Sequence, residues 1–327
     1  MAAWEGSRMR PLTDNTPKPL LKICGKTIIE HNIEPIVHFF DDIFMVVGYK
    51  SEAFREYFGE SYKEKRIHYI DQIDTPGTGA AILSLERVID GGFIVISGDD
   101  LYDPSDILKL TGIQWYATLV KAVDKPENFG IFTRDSDGKP TGIVEKPTDV
   151  SLGNLANIGI HKFDSSIFSV LRNIPLSKRG EMEITDLIHI YIEHGTYSIL
   201  EAKGRWITIG YPWDLLKADD VLIGGYTESV IKWTVEEGVT IKWHIYLEEG
   251  AVIKSGTYIE GNCYFGKNTE IGPFSHVRGN TSLGDHGKIG SFSEVKNCYL
   301  MDHTVVAQNA VIVDTIAGSD VNFASGV

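Results

Sequence analysis

Two patterns of apolar and polar residues divide the chain into two regions. In residues 1–225, short apolar runs alternate with segments in which apolar residues recur at helical spacing. The runs are typical of buried parallel strands, and the helical spacing indicates amphipathic helices packed on them. This alternation predicts an α/β fold with a doubly wound, Rossmann-like open sheet, which would bind ligands at the carboxyl ends of its strands.

The predicted elements of this region begin close to the N-terminus. We expect helices at residues 27–40, 51–58, 79–88 and 104–109, and strands at residues 42–47, 67–70 and 93–97. Pro35 lies inside the first helix and predicts a kink there, because proline has no N–H group for a helical hydrogen bond.

From Ile241 onward the spacing of the apolar residues changes to six. This period continues to Val313, and a small residue follows many of the apolar positions four residues later. A hexapeptide period of large and small residues predicts a parallel β-helix. We therefore expect an α/β domain at residues 1–225, a linker at 226–240 and a β-helix at 241–327.

Composition limits the partners and the compartment. The 327 residues carry a net charge of −14, which disfavours nucleic acid or an anionic membrane as a partner. No apolar run approaches the ~18 residues of a membrane span. The three cysteines are odd in number and form no CxxC pair, so neither a disulfide framework nor a zinc site is indicated. We expect a protein of the reducing cytoplasm.

A polar loop at residues 6–21 concentrates glycine, cations and proline. Gly6 and Ser7 would let backbone N–H groups approach an anion closely. Arg8 and Lys18 would supply positive charge for a triphosphate or its pyrophosphate leaving group. A solvated surface turn is the alternative interpretation of such a loop.

Two further polar segments follow predicted strands. Residues 71–81 contain a Gly-Thr-Gly turn at a helix start, which a capped βα turn alone would also explain. Residues 96–100 end in Asp99 and Asp100. Carboxylates at a strand tip suit Mg²⁺, which prefers oxygen ligands and bridges to phosphates. Asp100 is expected to cap the following turn instead.

Residues 2–21, AAWEGSRMRPLTDNTPKPLL, resemble the phosphate-binding loop of the sugar-1-phosphate nucleotidylyltransferases. The resemblance implies that Arg8 and Lys18 are catalytic and bind the triphosphate, and that Asp99 binds Mg²⁺. It assigns nucleotide binding to Gly6, Ser7, Gln72, Gly77, Thr78 and Gly98. Among these, the spacing of Gln72, Gly77 and Thr78 matches the family's base-reading segment.

The same resemblance extends to segments 129–130, 142–147 and 156–160. It assigns sugar binding to Gly130, Glu145, Lys146 and Asn157. Glu145 would accept hydrogen bonds from sugar hydroxyls, Lys146 would hold the sugar phosphate, and Asn157 would contact the hydroxyl or acetamido side. An exposed strand end before a proline is the alternative interpretation of the Glu-Lys-Pro triplet.

The hexapeptide region is similar to left-handed β-helix acyltransferases, and the domain order is similar to bifunctional uridylyltransferase and acetyltransferase enzymes. Arg278 and Lys296 match a pair that holds the sugar phosphate there, and Asn322 matches a turn near the acetyl-CoA site. Gln308 replaces the catalytic histidine, and an amide cannot accept a proton from an amine at neutral pH. Acetyl transfer is therefore not expected, with His303 as a remote alternative base. Analogy favours a homotrimer.

Two substitutions and both ends of the chain depart from the family pattern. Trp4 stands where the family has glycine, and Thr208 stands where it has a second carboxylate ligand for Mg²⁺. A hydroxyl is a poorer Mg²⁺ ligand than a carboxylate. Three residues precede the family's loop motif and the chain ends at Val327, so we expect both ends to be cut short, or the sheet to lack its first strand.

These features leave two hypotheses. The first is an enzyme that uses Mg²⁺ to transfer a nucleoside monophosphate from UTP or dTTP to a sugar 1-phosphate. The second is a catalytically impaired homologue that binds nucleotide or sugar phosphate, or serves as an assembly subunit. The sequence fixes neither the base nor the sugar.

Overall fold

The computed structural model of the chain describes residues 1–2 and 6–327, apart from the side chain of Val150. Its α-helices are α1 Ile28–Ile33, α2 Ser51–Phe58, α3 Thr78–Leu83, α4 Pro104–Lys109, α5 Ile167–Leu171, α6 Ile184–Glu193 and α7 Pro212–Gly224. The strands before residue 208 are β1 Lys22–Ile23, β2 Lys26–Thr27, β3 Ile43–Val47, β4 Ser61–Tyr62, β5 Lys65–Asp71, β6 Gly92–Ile96, β7 Leu101–Tyr102, β8 Tyr116–Ala122, β9 Gly130–Arg134, β10 Pro140–Glu145, β11 Leu155–Asp164, β12 Tyr197–Glu201 and β13 Trp206–Ile207. The later strands are β14 Val230–Ile231, β15 Thr234–Val235, β16 Thr240–Ile241, β17 Ile245–Leu247, β18 Val252–Ile253, β19 Tyr258–Glu260, β20 Cys263–Phe265, β21 Glu270–Ile271, β22 His276–Arg278, β23 Thr281–Leu283, β24 Lys288–Ile289, β25 Glu294–Lys296, β26 Tyr299–Leu300, β27 Val305–Val306, β28 Val311–Val313, β29 Ile316–Ala317 and β30 Asn322–Phe323.

The predicted helices and strands of the α/β region are present, but two helices are shorter than predicted. The first, α1, ends at Ile33, and Val37–Phe39 form a 3-10 turn instead of continuing it. Pro35 explains this break, because its ring clashes with the preceding helical turn. The third, α3, ends at Leu83, and the chain continues as turns to residue 88.

Residues 1–2 and 29–207 belong to the first of two compact units. Its main sheet has the strand order β10-β9-β11-β8-β12, with β6 also paired to β11, and a second sheet has the order β3-β5-β4. Strand β3 is parallel to β5 and β12 is parallel to β8, whereas β11 is antiparallel to its neighbours. The α/β class is therefore confirmed, but the sheet is mixed. One cause is the short turn between β9 and β10, which can join only antiparallel strands.

A large hydrophobic core lies between this sheet and helices α3, α5 and α6. Phe163 of β11, Leu171 of α5 and Leu187 of α6 are all buried in it. The core fixes the helices on the sheet, because each helix contributes its apolar face.

The second unit comprises residues 6–28 and 208–327, and most of it is a parallel β-solenoid. Three sheets run along it, and neighbouring strands within a sheet are about 18 residues apart in sequence, as the register of Ile253, Ile271 and Ile289 shows. Three hexapeptides make one such coil, so one apolar residue of each repeat points inward and is fully buried. The predicted hexapeptide β-helix is confirmed, and its coils are consistent with the left-handed form.

The coils begin before Ile241. Strand β14 starts at Val230, and β14, β15 and β16 pair in parallel with β17, β18 and β19. Residues 230–241 therefore form a first coil, although their apolar period is weak in the sequence.

Helix α7 and the β1–β2 hairpin pack on one sheet of the solenoid. Helix α7 contacts β23, β26 and β29, and it also contacts β1. The Tyr299 hydroxyl donates to the backbone oxygen of Lys22, and the Lys22 ammonium contacts Asp285 and Asp302 at 3.1 and 2.9 Å. Residues 6–28 are thus an integral part of this unit.

Within the described part of the chain, none of the helices has the length and apolar character needed to cross a membrane.

Candidate functional site

The loop at residues 6–21 belongs to the second unit and folds back on itself. Gly6 has a left-handed backbone with φ of 66°, and its carbonyl oxygen accepts hydrogen bonds from the Met9 N–H at 2.9 Å and the Thr13 hydroxyl at 3.0 Å. A β-carbon at Gly6 would lie 3.0 Å from the β-carbon of Lys18. Glycine is required here by both its backbone angle and this close approach. Ser7 follows in an exposed 3-10 turn.

The two cations of this loop lie in different environments. The Lys18 side chain is buried, whereas Arg8 is exposed. The Arg8 guanidinium lies 5.2 Å from the ring centre of Tyr211, which stacks on Trp213 at 4.6 Å. A cation above an aromatic face is held by attraction to the ring's quadrupole. This aromatic pair was not identified from the sequence, because stacking partners of a distant cation leave no local pattern.

The segment that carries Thr208 leads into α7 of the same unit. Thr208 is half-buried, and the Asp214 carboxylate accepts hydrogen bonds from the N–H groups of Gly210 and Tyr211 at 2.9 and 2.8 Å. These bonds cap the start of α7. Asp214 is therefore engaged in helix capping. The other departure, Trp4, lies outside the described residues.

In the first unit, the predicted base-reading segment connects β5 to α3. The Gln72 side chain is half-buried and donates to the Thr75 carbonyl at 3.2 Å. Gly77 has φ of 117°, and a β-carbon there would lie 2.3 Å from the Met182 carbonyl oxygen. The Thr78 hydroxyl accepts a hydrogen bond from the Ile184 N–H at 3.0 Å, at the start of α6. Gly77 and Thr78 thus join the N-termini of α3 and α6.

The predicted metal position follows β6. The Gly98 N–H donates to the Met1 carbonyl at 2.8 Å, and a β-carbon at Gly98 would lie 2.7 Å from that oxygen. Asp99 is half-buried next to it. The Asp100 carboxylate accepts from the Trp206 indole N–H at 3.1 Å. Asp100 is therefore committed to a structural bond, and Asp99 stays the predicted metal ligand.

The described residues contain no group of three or more His, Cys, Asp or Glu side chains arranged to hold a metal ion. Mg²⁺ does not require one, because it is commonly bound by one or two carboxylates together with waters and substrate phosphates. A single carboxylate such as Asp99 fits that mode of binding. It does not fit a metal site built by protein side chains alone.

The predicted sugar-binding residues come together at one end of β9, β10 and β11. Gly130 pairs with Glu145 across β9 and β10, and a β-carbon at Gly130 would lie 2.9 Å from the Glu145 carboxylate. Ala156 pairs with Ile131, so Asn157, the next residue of β11, lies beside Gly130. The Asn157 side-chain oxygen accepts from the Gly159 N–H at 3.0 Å. The Lys146 side chain is exposed at the end of β10.

Charged groups surround Glu145. Its carboxylate lies 3.7 Å from the Lys146 ammonium and 3.6 Å from the Arg179 guanidinium, which also contacts Glu183 at 2.6 Å. Burial raises the pKa of Glu145, and the nearby cations oppose this shift. Arg179 was not identified as a site residue from the sequence, because the turn that places it beside β10 depends on tertiary packing.

The residues that resemble an acetyltransferase site are only partly brought together. Arg278 and Lys296 are partners in adjacent strands β22 and β25, and Arg278 is bound by Glu294 at 2.5 Å. Asn322 lies in β30, which belongs to a different sheet of the solenoid. Gln308 is exposed at a corner after β27. This arrangement provides an Arg-Lys pair but, at position 308, no group that accepts a proton.

Comparison with known proteins agrees with this architecture. The model of the nucleotidyl transferase family matches residues 1–223, and the model of the bacterial transferase hexapeptide, six repeats long, matches residues 262–297. The first match covers more than half of the chain and contains every predicted nucleotide- and sugar-binding residue.

Individual relatives share both regions. The chain is 36% identical over 325 residues to the bifunctional protein GlmU of Methanocaldococcus jannaschii, covering 99% of this chain and 78% of that protein. It is 35% identical over 328 residues to a bifunctional sugar-1-phosphate nucleotidylyltransferase/acetyltransferase of Sulfurisphaera tokodaii, covering 100% of this chain and 80% of that protein. A solved structure from Bacillus anthracis, assigned as a glucose-1-phosphate thymidylyltransferase, superposes with a TM-score of 0.60 and 26% identity over 67% of this chain and 92% of that one.

Proposed function

Because the chain belongs to the nucleotidyl transferase family, we propose that it transfers a nucleoside monophosphate from UTP or dTTP to a sugar 1-phosphate. The products are a nucleoside diphosphate sugar and pyrophosphate. The observation that best supports this function is the sugar-side cluster, in which Gly130, Glu145 and Asn157 lie at the same end of β9, β10 and β11. An acidic acceptor beside an exposed lysine suits a ligand that carries both hydroxyls and a phosphate.

In the proposed reaction, a phosphate oxygen of the sugar 1-phosphate attacks the α-phosphorus of the nucleotide in line. The new P–O bond forms as the bond from the α-phosphorus to the bridging oxygen breaks, and the electron pair leaves with pyrophosphate. Arg8 and Lys18 are proposed to stabilise the charge that develops on these oxygens. Gln72, Gly77 and Thr78 are proposed to position the base, and Gly6, Ser7 and Gly98 to admit the nucleotide close to the backbone.

On the sugar side, each residue has a proposed role that follows from its chemistry. Glu145 accepts hydrogen bonds from sugar hydroxyls, Lys146 holds the sugar phosphate, and Asn157 contacts the hydroxyl or acetamido side. Because Gly130 has no β-carbon, the Glu145 carboxylate can lie directly against its backbone. Arg179, which reaches Glu145 in the structure, is proposed to position that carboxylate.

Nucleotidyltransferases of this family generally use a divalent metal, and we propose that the metal here is Mg²⁺. Asp99 would hold it together with phosphate oxygens of the substrate. When bound, the ion would neutralise phosphate charge and align the reacting groups. Thr208 supplies only a neutral hydroxyl where the family has a second carboxylate, so weaker metal binding is proposed for this chain than for its relatives.

The solenoid suggests assembly, and we propose a homotrimer formed through it. Light scattering coupled to gel filtration would test the assembly, and a monomer at micromolar concentration would rule the trimer out.

Acetyl transfer is not part of the proposal, because Gln308 lacks a basic group. The three cysteines are all free, which supports a reducing, cytoplasmic location.

The reaction can be tested by measuring pyrophosphate release. UTP and dTTP are each supplied with Mg²⁺ and with glucose-, N-acetylglucosamine- or glucosamine-1-phosphate. We expect release that depends on one sugar and falls by at least about a hundredfold in Asp99→Ala, since a ligand of the reaction's metal is removed. Asp137→Ala, in an exposed turn, is the matched control and should keep full activity.

Two results would contradict the proposal. No pyrophosphate release with any substrate pair, from protein shown to be folded, would favour an impaired homologue that binds nucleotide or sugar phosphate, or one that serves in assembly. Wild-type release too low to depend on any sugar, together with a large gain in turnover for Thr208→Asp, would show that the wild-type site is impaired and would support the same alternative.

A further inference from the structure

A stacked pair of aromatic side chains lies at the start of α7 in the second unit. The ring centres of Tyr211 and Trp213 are 4.6 Å apart, and the ring planes are 8° from parallel. Tyr211 is 40% exposed and Trp213 is 63% exposed, so the pair stands at the protein surface. Burial of such rings normally removes much apolar area from water. Two rings kept at the surface therefore indicate that they serve a contact other than core packing.

The backbone beneath this pair is held by the cap of α7. The Asp214 carboxylate accepts hydrogen bonds from the N–H groups of Gly210 and Tyr211, and the Asp214 N–H donates to the Tyr211 carbonyl at 2.9 Å. Pro212 takes the first helical position, where its fixed φ suits a helix start. These bonds use main-chain groups of Tyr211, so they fix the origin of its side chain whatever that side chain is.

The Arg8 guanidinium lies over the Tyr211 ring, 5.2 Å from the ring centre. An aromatic face attracts a cation through its quadrupole, and a second ring stacked on the first limits the movement of both. Arg8 is exposed, and an exposed arginine otherwise samples many rotamers. The aromatic pair therefore restricts Arg8 to fewer positions before any ligand binds.

A neighbouring arginine of the same loop is held in a different way. Arg10 lies 3.4 Å from the Asp14 carboxylate, which offsets part of its charge. Within the part of the chain that the structure describes, no carboxylate lies within ion-pair distance of the Arg8 guanidinium. An aromatic ring carries no net charge and does not engage N–H donors as a carboxylate does. Arg8 thus keeps its charge and its donors for phosphate oxygens.

We propose that Tyr211 is a positioning residue for triphosphate binding: together with Trp213, it holds the Arg8 guanidinium where phosphate oxygens meet it. This inference rests on the proposed function, in which Arg8 stabilises charge on those oxygens. Arginine binds phosphate through two parallel N–H groups, so the strength of the contact depends on how its plane is oriented. A guanidinium that is ordered in advance loses less freedom on binding. Tyr211 acts through Arg8 in this role and not by contact with substrate.

Binding of inorganic tripolyphosphate to the full-length protein, measured by isothermal titration calorimetry, tests this role without turnover. Arg8→Ala should weaken binding at least about tenfold, since a charged partner of the phosphates is lost. Tyr211→Leu keeps the α7 cap but removes the aromatic face. We expect it to weaken binding about two- to fivefold, as the loss of an exposed cation–π contact implies. Tyr211→Phe keeps the ring and should restore wild-type affinity.

Tyr258→Leu is the matched control. Tyr258 is 36% exposed, and the Lys242 ammonium lies 6.0 Å from its ring centre. It belongs to β19, in a different sheet of the solenoid from the one that α7 contacts. Its replacement should leave tripolyphosphate binding unchanged.

A double-mutant cycle tests whether Tyr211 acts through Arg8. In the Arg8→Ala background, Tyr211→Leu should have no further effect on tripolyphosphate binding. Turnover adds a readout that a purely structural role would not move. Tyr211→Leu should lower kcat about two- to fivefold and leave the KM for the sugar 1-phosphate unchanged. The free energies of unfolding of Tyr211→Leu and Tyr211→Phe in urea should be alike.

Three outcomes would overturn the inference while leaving the proposed function intact. Wild-type affinity in Tyr211→Leu, with weak binding in Arg8→Ala, would show that Arg8 needs no aromatic support. An undiminished effect of Tyr211→Leu in the Arg8→Ala background would show that Tyr211 does not act through Arg8. An equal loss in Tyr211→Phe would assign the effect to the hydroxyl.

Other outcomes would reject the proposed function together with the inference. They are a wild-type protein that neither binds tripolyphosphate nor releases pyrophosphate, and an Arg8→Ala variant with unchanged binding and turnover.

Discussion

At the scale of single residues, Gly77 is held by two independent constraints. Its φ of 117° is rarely adopted by residues with a side chain, and an added β-carbon would lie 2.3 Å from the Met182 carbonyl oxygen. The glycine in the predicted base-reading segment is thus needed for packing, whatever it contributes to binding. A sequence pattern alone shows the glycine but not which of these reasons requires it.

Gly77→Ala should destabilise the protein by more than its backbone angle explains. Gly91 is a matched control, because its φ is 116° and nothing lies within 4 Å of an added β-carbon. Both alanines would adopt nearly the same unfavourable φ, so the difference between the two losses chiefly measures the clash. We expect Gly77→Ala to lose about 1–3 kcal/mol more than Gly91→Ala in urea unfolding. Equal losses would contradict the close packing of Gly77 on Met182.

Asp219 of α7 is a second residue whose environment is set by tertiary structure. It is fully buried; one carboxylate oxygen accepts from the Cys24 thiol at 3.5 Å, and the other has no hydrogen-bond partner within the described residues. Burial raises the pKa of Asp219 from 3.8 to about 7, against the effect of its hydrogen bonds with Ser282 and Cys24. The folded protein therefore holds a proton there that the unfolded chain releases.

This shift predicts a pH dependence of stability. The contribution of Asp219 is fully present below about pH 3.8 and is lost as the pH rises to about 7, because the folded state then carries a buried charge. Asp219→Asn removes this titration, so the free energy of unfolding of the variant should fall less between pH 4 and 8. At pH 8 the variant should be more stable than the wild type by a few kcal/mol, on the order set by 1.36 kcal/mol per pKa unit.

Urea unfolding at pH 4, 6 and 8 would measure this difference. Asp137→Asn, in an exposed turn, controls for the loss of one charge. Parallel pH profiles for wild type and Asp219→Asn would show that the pKa of Asp219 is not raised.

At the scale of elements, the β1–β2 hairpin is fastened to the solenoid by Lys22. Its ammonium lies between Asp285 and Asp302, which occupy equivalent corners of successive coils, and the Asp302 carboxylate also accepts from the Asp285 N–H at 2.9 Å. The two aspartates repel each other without the cation. One hairpin thus stabilises two coils at once.

Lys22→Met should expose this repulsion. The substitution keeps an apolar stem of similar length but removes the charge, so we expect a loss of about 1–3 kcal/mol. Lys232→Met is the control, since Lys232 pairs with a single carboxylate, Glu248, at 2.8 Å and should cost under about 1 kcal/mol. Urea unfolding would measure the loss of unfolding free energy in both variants. The larger loss for Lys22→Met should shrink in 1 M salt, where the Debye screening length is about 3 Å. An equal loss at both sites would show that the hairpin is held by other contacts.

At the scale of the whole molecule, two hydrophobic cores have no residue in common. One contains Phe163 and lies in the α/β unit, and the other contains Phe265 and runs along the axis of the solenoid. Each core arises from a different apolar period, so each unit buries its own apolar face. We therefore expect the free energy of local unfolding to differ between the two units.

A cavity in one core should weaken that unit first. Phe163→Ala and Phe265→Ala are a matched pair, since both rings are almost fully buried, and each should cost about 3–5 kcal/mol locally. Hydrogen exchange followed by mass spectrometry should show lost protection in β11 for the first variant and in β20 to β23 for the second. Equal losses across the whole chain in both variants would show a single cooperative unit.

Much of the fold and part of the candidate site could be predicted from the sequence. The helix at Ser51–Phe58, the buried strand at 43–47 and the six-residue period all depend on spacing between near neighbours, which the chain displays directly. The cluster of Gly130, Glu145 and Asn157 was predicted as a group through family resemblance. Arg179 was missed, because no short-range pattern links it to Glu145. The roles of the site residues stay predictions.

What the sequence by itself determined is the architecture: an α/β region followed by a hexapeptide β-helix, and membership of a nucleotidyl transferase family. Only the tertiary structure decided that Thr78 bonds the start of α6, 106 residues away, and that Lys22 joins two coils more than 260 residues later. The physical reason is range. Periodicity is set by contacts within one or two turns or strands, whereas these features arise from residues that meet only after the chain has folded.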